Sequence, residues 1–379
     1  MNPAVAAIIT ATALLAVLAA RHGVARMAAR SSVAARLHTL YTLVALLLAL
    51  RLVAPWVSST PVIIALMGVA AWLPIATLWL VEQLRCRHAP RPVKLLALVG
   101  AVGFSILAVT LGLVWSAAAA LALAVYQLTM LAAMVALLAS DRAELAPGER
   151  RTSDTVLLAL LLTIPLAASD FTALLPGLPV RGGAFAALLL AVATARLAAG
   201  DGAPGRLLAD LAIAAGAGGI GVGIAFSALD GVSTIPAILI AAGGTAIAGL
   251  LLIVARAGSG SDATGLIAAL AHAPADNLDT LIAAHPLLAS GRLLGPAELA
   301  AYPDSSIARV VAFRVVSAST GDAETRDAAR DLLDAFAATH LVRLSHTPPR
   351  LLAVAAGSLT APTLDDELAL AARLIERAA

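Results

Sequence analysis

Seven histidines, one cysteine and 23 acidic residues are the groups in this 379-residue chain that could do chemistry. His22, His38 and His88 fall between apolar runs, and His272, His285, His340 and His346 fall in the C-terminal third. None lies inside an apolar run. A haem or intramembrane metal held by histidine is therefore not expected, because it needs imidazoles projecting from the spans. His340 and His346 flank a short apolar stretch without further ligands and read as solvated or hydrogen-bonded side chains. Cys86 sits between Arg85 and Arg87, and cationic neighbours raise a thiol's reactivity. Adjacent residues rarely face one another, however, and a basic cluster at a membrane edge accounts for both arginines. A single cysteine also excludes an internal disulfide and a cysteine-based zinc site.

Carboxylates are scarce among the apolar runs. Asp154, Asp201 and Asp210 belong to one face of the expected membrane part, and Asp170 and Asp230 to the other. No acid stands at mid-run to mark a proton or cation path. Walker loops, nucleophile elbows and HExxH are missing, and Ser358 after Gly357 has no partner set. Gly216, Gly218 and Gly221 fit G-x-G-x-x-G, but no strand precedes them and the surroundings are apolar. Small residues at helical spacing instead let membrane helices approach closely. Gly216, Gly219 and Gly223, with Gly243 and Gly244 in the next run, are thus expected at helix contacts. No catalytic, cofactor or metal site is expected.

The composition is 61% hydrophobic and 13% charged, against about 25% charged in soluble domains. Lys94 is the only lysine, the bias of a GC-rich bacterial genome. Nine apolar runs can be drawn, at about 3–20, 39–56, 61–81, 95–115, 117–139, 155–175, 183–199, 207–229 and 235–255. The first has no basic leader and reads as a retained span. Alternate connections hold the arginines: Arg21, Arg26, Arg30 and Arg36; Arg85, Arg87, Arg91 and Lys94; Arg142, Arg150 and Arg151; Arg196 and Arg206; then Arg256. The other connections hold only Arg181. Basic residues stay on the cytoplasmic side during insertion. The expectation is a bacterial inner-membrane protein with its amino terminus outside, nine spans and its carboxyl tail inside.

Residues 155–199 are two such runs joined by a turn holding Asp170 and Arg181. Pro74 and Pro165 are expected to kink their helices. Arg51, near the outer end of the second run, reads first as an arginine snorkelling to the interface. Its second reading is a partner for an outer acid such as Asp170 or Asp230. Arg51, Asp170, Arg181 and Asp230 are the candidate outer-face polar cluster.

The expected domains are a transmembrane bundle over 1–256, a Gly/Ser joint over 257–261 and a small α+β domain over 262–379. Residues 1–256 hold 16 basic and 9 acidic side chains, and 257–379 hold 9 and 14. An acidic tail argues against nucleic-acid binding. Within it, 264–289 read as helix interrupted near Pro274, 307–318 as a strand, and 322–339 as an amphipathic helix. Residues 341–346 and 350–357 suit a hairpin. A last helix is expected to start at Thr363, with Asp366 completing its cap and Asp365, Asp366 and Glu367 favouring its amino end.

The turn Ser169-Asp170-Phe171, followed by Leu178-Pro179-Val180-Arg181, resembles the outer turn of the multi-span membrane sensor modules of bacterial signalling proteins. The resemblance covers about 45 residues and implies a receptor bundle feeding a cytoplasmic domain. Such modules have seven spans, whereas nine are expected here. The tail also shows no phosphoacceptor histidine with a nucleotide-binding region, no GGDEF-type sequence and no helix-turn-helix. The expectation is a non-enzymatic sensor or scaffold in contact with membrane lipids and a cytoplasmic or membrane protein partner. A transporter or lipid-handling protein, and an accessory subunit of a larger complex, are the alternatives.

Overall fold

The computed structural model describes residues 3–28, 31–57, 60–85, 87–110, 117–140, 147–171, 174–198, 204–228, 233–259, 266–273, 277–289, 291–317, 320–336, 338–356 and 361–378. Two compact units are formed, one from 1–143 with 152–257 and the other from 144–151 with 258–379.

Among the described residues the first unit is a set of nine apolar helices: α1 (Pro3–Ala28), α2 (Ser32–Val53), α3 (Thr60–Arg85), α4 (Arg91–Val109), α5 (Ala117–Ser140), α6 (Pro147–Asp170), α7 (Gly183–Ala198), α8 (Pro204–Ala228) and α9 (Thr234–Ser259). Eight are long and apolar enough to cross a membrane. This is a polytopic membrane protein. The seventh helix, α7, has 16 residues and spans about 24 Å, short of the roughly 30 Å hydrocarbon thickness. Its residues 187–194 are all buried. A helix apolar on every side belongs in the interior, and α1 and α8 both pack against it. Tyr41 of α2, fully buried, donates to the Leu190 carbonyl at 3.1 Å and meets the Thr194 hydroxyl.

Pro74 lies inside α3 and Pro165 inside α6, and both helices run through them. Proline removes the donor that would have reached the carbonyl four residues back, which for Pro74 is Ala70. Gln127 of α5 supplies the missing donor, its Nε2 standing 2.8 Å from the Ala70 oxygen. A neighbouring helix thus satisfies the freed backbone group, as lipid cannot. Gln127→Leu is expected to cost about 1 kcal/mol in reversible unfolding from mixed micelles. In a Pro74→Ala background, where the backbone donor returns, the same substitution should cost almost nothing.

The second unit is an α+β domain. Its C-terminal part comprises α10 (Leu266–His272), α11 (Leu278–Ala283), α12 (Pro286–Ala289), β1 (Arg292–Leu294), α13 (Pro296–Leu299), α14 (Asp304–Ala312), β2 (Val315–Ser317), α15 (Ala323–Ala335), β3 (His340–Ser345), β4 (Arg350–Val354) and α16 (Ala361–Ala378). The four strands pair antiparallel in the order β1-β4-β3-β2, and β3 and β4 form a hairpin. Leu341, Leu351 and Ala353 enter one core with α14 and α15. Val342, Leu352 and Val354, on the opposite face, enter another with α10, α11 and α16. Both faces of the hairpin are covered, which is why its strands read as nearly continuous apolar runs.

The expected strand over 307–318 is corrected to α14 followed by the short β2. Ile307, Val310 and Val311 are buried while Ala308 and Arg309 are exposed. That is the i, i+3, i+4 spacing of a helix face, and Pro303 and Asp304 suit its start. β-branched residues misled the composition-based reading. The last helix begins at Ala361, two residues before the expected cap at Thr363.

Two exposed carboxyl groups hold helix starts in this unit. Asp322 caps α15, and hydrogen bonds from the Thr325 side chain and from its N–H (2.9 Å) hold its carboxyl below the ordinary value. Glu298 is likewise lowered by backbone donors, its own and that of Gly295, the latter at 2.9 Å. A depressed carboxyl stabilises the fold above its unfolded pKa and loses that contribution as pH falls through the folded one. The helical signal of the second unit should therefore weaken in acid below about pH 4. Asp322→Asn, which keeps an acceptor, should flatten that acid limb in circular dichroism.

Candidate functional site

The sharpest polar geometry in the first unit lies at the two ends of α7. At its amino end, Arg51 from the last turn of α2 meets Asp170, the final residue of α6, with Nη2 2.8 Å from Oδ1 and 2.7 Å from Oδ2. The Gly183 N–H, at the first residue of α7, donates to the same Oδ1 at 3.3 Å. A β-carbon on Gly183 would come within 2.7 Å of both Arg51 Nη1 and Asp170 Oδ2. A side chain at 183 would have to push the Arg51 guanidinium or the Asp170 carboxylate out of its present place. Both charged side chains are mostly withdrawn from the surface, at 29% and 20% exposure.

Arg181 does not join that pair. Its Nη1 donates to the carbonyls of Ser169 (3.1 Å) and Leu175 (3.3 Å), so it caps the carboxyl end of α6, where a cation complements the helix dipole. The Ser169 hydroxyl accepts from the Gly182 N–H at 3.0 Å. The turn between α6 and α7 is thus closed by four polar residues, Arg51, Ser169, Asp170 and Arg181, and by the N–H groups of two glycines, Gly182 and Gly183. Asp230 lies outside the described residues.

The other end of α7 holds a cluster that sequence reasoning missed. Asp210, in the second turn of α8, has a side chain only 3% exposed. Arg196 from the last turn of α7 engages it with a two-pronged grip, its Nε on Oδ2 and its Nη2 on Oδ1 at 2.7 Å. Arg256 from the end of α9 shares Oδ1. One buried carboxylate therefore ties together the ends of α7 and α9 and the start of α8. Bidentate arginine–carboxylate bonding is among the strongest polar contacts available to side chains. The available signal was a lone carboxylate within two turns of the start of an apolar run. Its position alone had placed it merely on a face.

Of the five glycines expected at helix contacts, Gly244 stands at one, beside Gly218, which is not in that set. Gly218 and Gly244 stand at a close contact of α8 and α9: a β-carbon on Gly218 would strike the Ala241 carbonyl and the Thr245 hydroxyl, and one on Gly244 would lie 3.1 Å from Gly218 Cα. Gly249 is the site where Leu188 of α7 packs on α9. Gly216, Gly219, Gly223 and Gly243, also expected at contacts, have nothing within 4 Å of such an atom. Leu207, Asp210, Ala214, Gly218 and Ala225 make the buried face of α8. At 100° per residue, Gly216, Gly219 and Gly223 fall on the opposite side of the helix.

No model of a known protein family, no curated protein and no solved structure matches the chain.

The second unit has two polar junctions. Arg343 of β3 reaches Glu376 of α16 at 2.9 and 2.8 Å and the Val311 carbonyl, near the end of α14, at 2.6 Å. His340, buried at the start of β3, has Nδ1 2.9 Å from the Thr339 hydroxyl and Nε2 3.1 Å from Asp365 of α16. Thr339 is itself held by the Val354 carbonyl and the Ala356 N–H. This hydroxyl is a structural bridge between strands and is not presented as a nucleophile. His346 is exposed in the β3–β4 turn. Among the described residues no three His, Cys, Asp or Glu side chains gather as a metal site. Cys86 and Ser358 lie outside the described residues.

Proposed function

We propose that the protein is a non-enzymatic membrane sensor or scaffold in which α7 relays a cue from its Asp170 end to Arg256, from which the chain runs on into the C-terminal domain. The observation that supports this reading is the ion pairing at both ends of α7. Arg51 and Asp170 hold one end, and Asp210 joins the other to the last helix of the bundle. A short helix buried along its length and pinned at both ends moves as a body or not at all. Displacement at the α6–α7 turn would therefore be felt at α9.

Sidedness follows from charge. Arg21, Arg36, Arg85, Arg87, Arg91, Lys94, Arg196, Arg206 and Arg256 stand at one set of helix ends, and Arg51 and Arg181 at the other. In this reading the arginine-rich ends are cytoplasmic, which places the C-terminal domain in the cytosol of a bacterial cell and the Asp170 turn outside. The turn resembles that of bacterial membrane sensor modules, and the second unit's two complete cores suit a self-contained protein-binding domain.

The test is co-purification of the full-length protein from its native membrane with mass spectrometry. A specific partner should be recovered with the whole chain and lost when 262–379 are deleted. Asp170→Ala should change its recovery at least threefold at unchanged protein level. A partner set indifferent to both changes, or steady solute flux in reconstituted vesicles, overturns the reading.

A further inference from the structure

We propose that Arg36 and Trp79 form a binding site for the phosphate of an anionic phospholipid at the arginine-rich edge of the bundle. Arg36, near the start of α2, is exposed, and its guanidinium carbon lies 5.1 Å from the centre of the Trp79 ring on α3. The indole is itself 40% exposed. Stacking on an aromatic face orients a guanidinium and leaves its N–H edge free for an acceptor.

Depth supports a lipid headgroup. From Thr60, where α3 begins, to Trp79 is about 28 Å along the helix at 1.5 Å per residue, close to the hydrocarbon thickness of roughly 30 Å. Trp56, just before α3, is 80% exposed at the opposite edge. Tryptophan favours the membrane–water boundary, so the two indoles bracket the apolar slab. Arg36 then lies at phosphate level.

Charge supports an anion. Among the described residues Arg36 touches no carboxylate. Glu82, the one carboxylate on α3, is occupied by Lys94 Nζ at 2.7 Å and the Ala89 N–H at 2.6 Å. Arg36 is the fifth residue of α2, one turn in from its amino end. A phosphate on the free edge of the guanidinium would supply the anion that no carboxylate among the described residues provides. A lipid acceptor also explains why the indole stays uncovered beside its arginine: the acyl chains below the phosphate cover it.

The experiment uses the full-length protein in vesicles containing brominated phosphatidylglycerol or brominated phosphatidylcholine at equal mole fraction. Trp79 emission is isolated by subtracting the Trp79→Phe protein. Phosphatidylglycerol should be enriched about fivefold at the indole, with correspondingly stronger quenching, and Arg36→Gln should equalise the two lipids. Equal quenching in the wild type, or a preference that survives Arg36→Gln, overturns the proposal. Native mass spectrometry of Trp79→Leu, which removes the aromatic face, gives an independent reading, in which fewer phosphatidylglycerol molecules should stay bound. Unchanged retention counts against the site. In lipid-free micelles inorganic phosphate should leave Trp79 emission unchanged. An Arg36-dependent change there would assign the site to a soluble phosphate and overturn the lipid source.

Discussion

Replacing Asp210 by asparagine should destabilise the membrane bundle by about 3–5 kcal/mol, because it leaves two arginines facing each other with no carboxylate between them. The side chain is 3% exposed and receives Arg196 on both oxygens and Arg256 on one. Removing one member of a buried ion pair costs more than the pair contributes, since the survivor keeps its desolvation penalty. Arg256→Gln should cost less than Arg196→Gln, for Arg256 makes one contact with the carboxylate where Arg196 makes two. Arg256 is also more exposed, 20% against 10%. Reversible unfolding in mixed micelles gives the order Asp210→Asn, Arg196→Gln, Arg256→Gln. Equal small losses in all three would show that the cluster does not hold the helix ends.

Gly218→Val should separate α8 from α9 and cost about 1–3 kcal/mol. The atoms a side chain would strike there include the Ala241 carbonyl oxygen, part of a helix backbone that cannot swing aside. One helix must move bodily. Gly216→Val, two residues away, meets nothing within 4 Å and should leave the unfolding midpoint almost unchanged. A single glycine-dense run thus predicts opposite outcomes at neighbouring positions, and the pair of melts separates contact from composition.

These two cases mark how far the sequence could be read. All nine helices of the first unit coincide with apolar runs, and most of the shift at their ends comes from arginine-bearing residues added to the helix, as at 21–28, 82–85 and 256–259. Arg51 could be placed near one edge and Asp170 in the turn after the sixth run. Their distance from one another could not, being a matter of which helices are neighbours. The hairpin of β3 and β4 was legible from two short apolar stretches around Pro348 and Pro349. The helix α14 was not: Ile307, Val310 and Val311 fit a helix face, but β-branched composition favoured a strand, and the sheet's need for a cover decided it.

Hydrophobic length and the placement of arginines are properties of the chain taken a few residues at a time. They suffice to determine that this protein lies in a bilayer and that an α+β domain follows its last span. Which glycine meets a neighbouring helix depends on how each helix is rotated. Why Asp210 serves arginines 14 and 46 residues away depends on which helix ends converge. Only the tertiary structure decides both, because in lipid an apolar face has no strong preference between a neighbouring helix and an acyl chain. The choice falls to close packing and buried polar pairs.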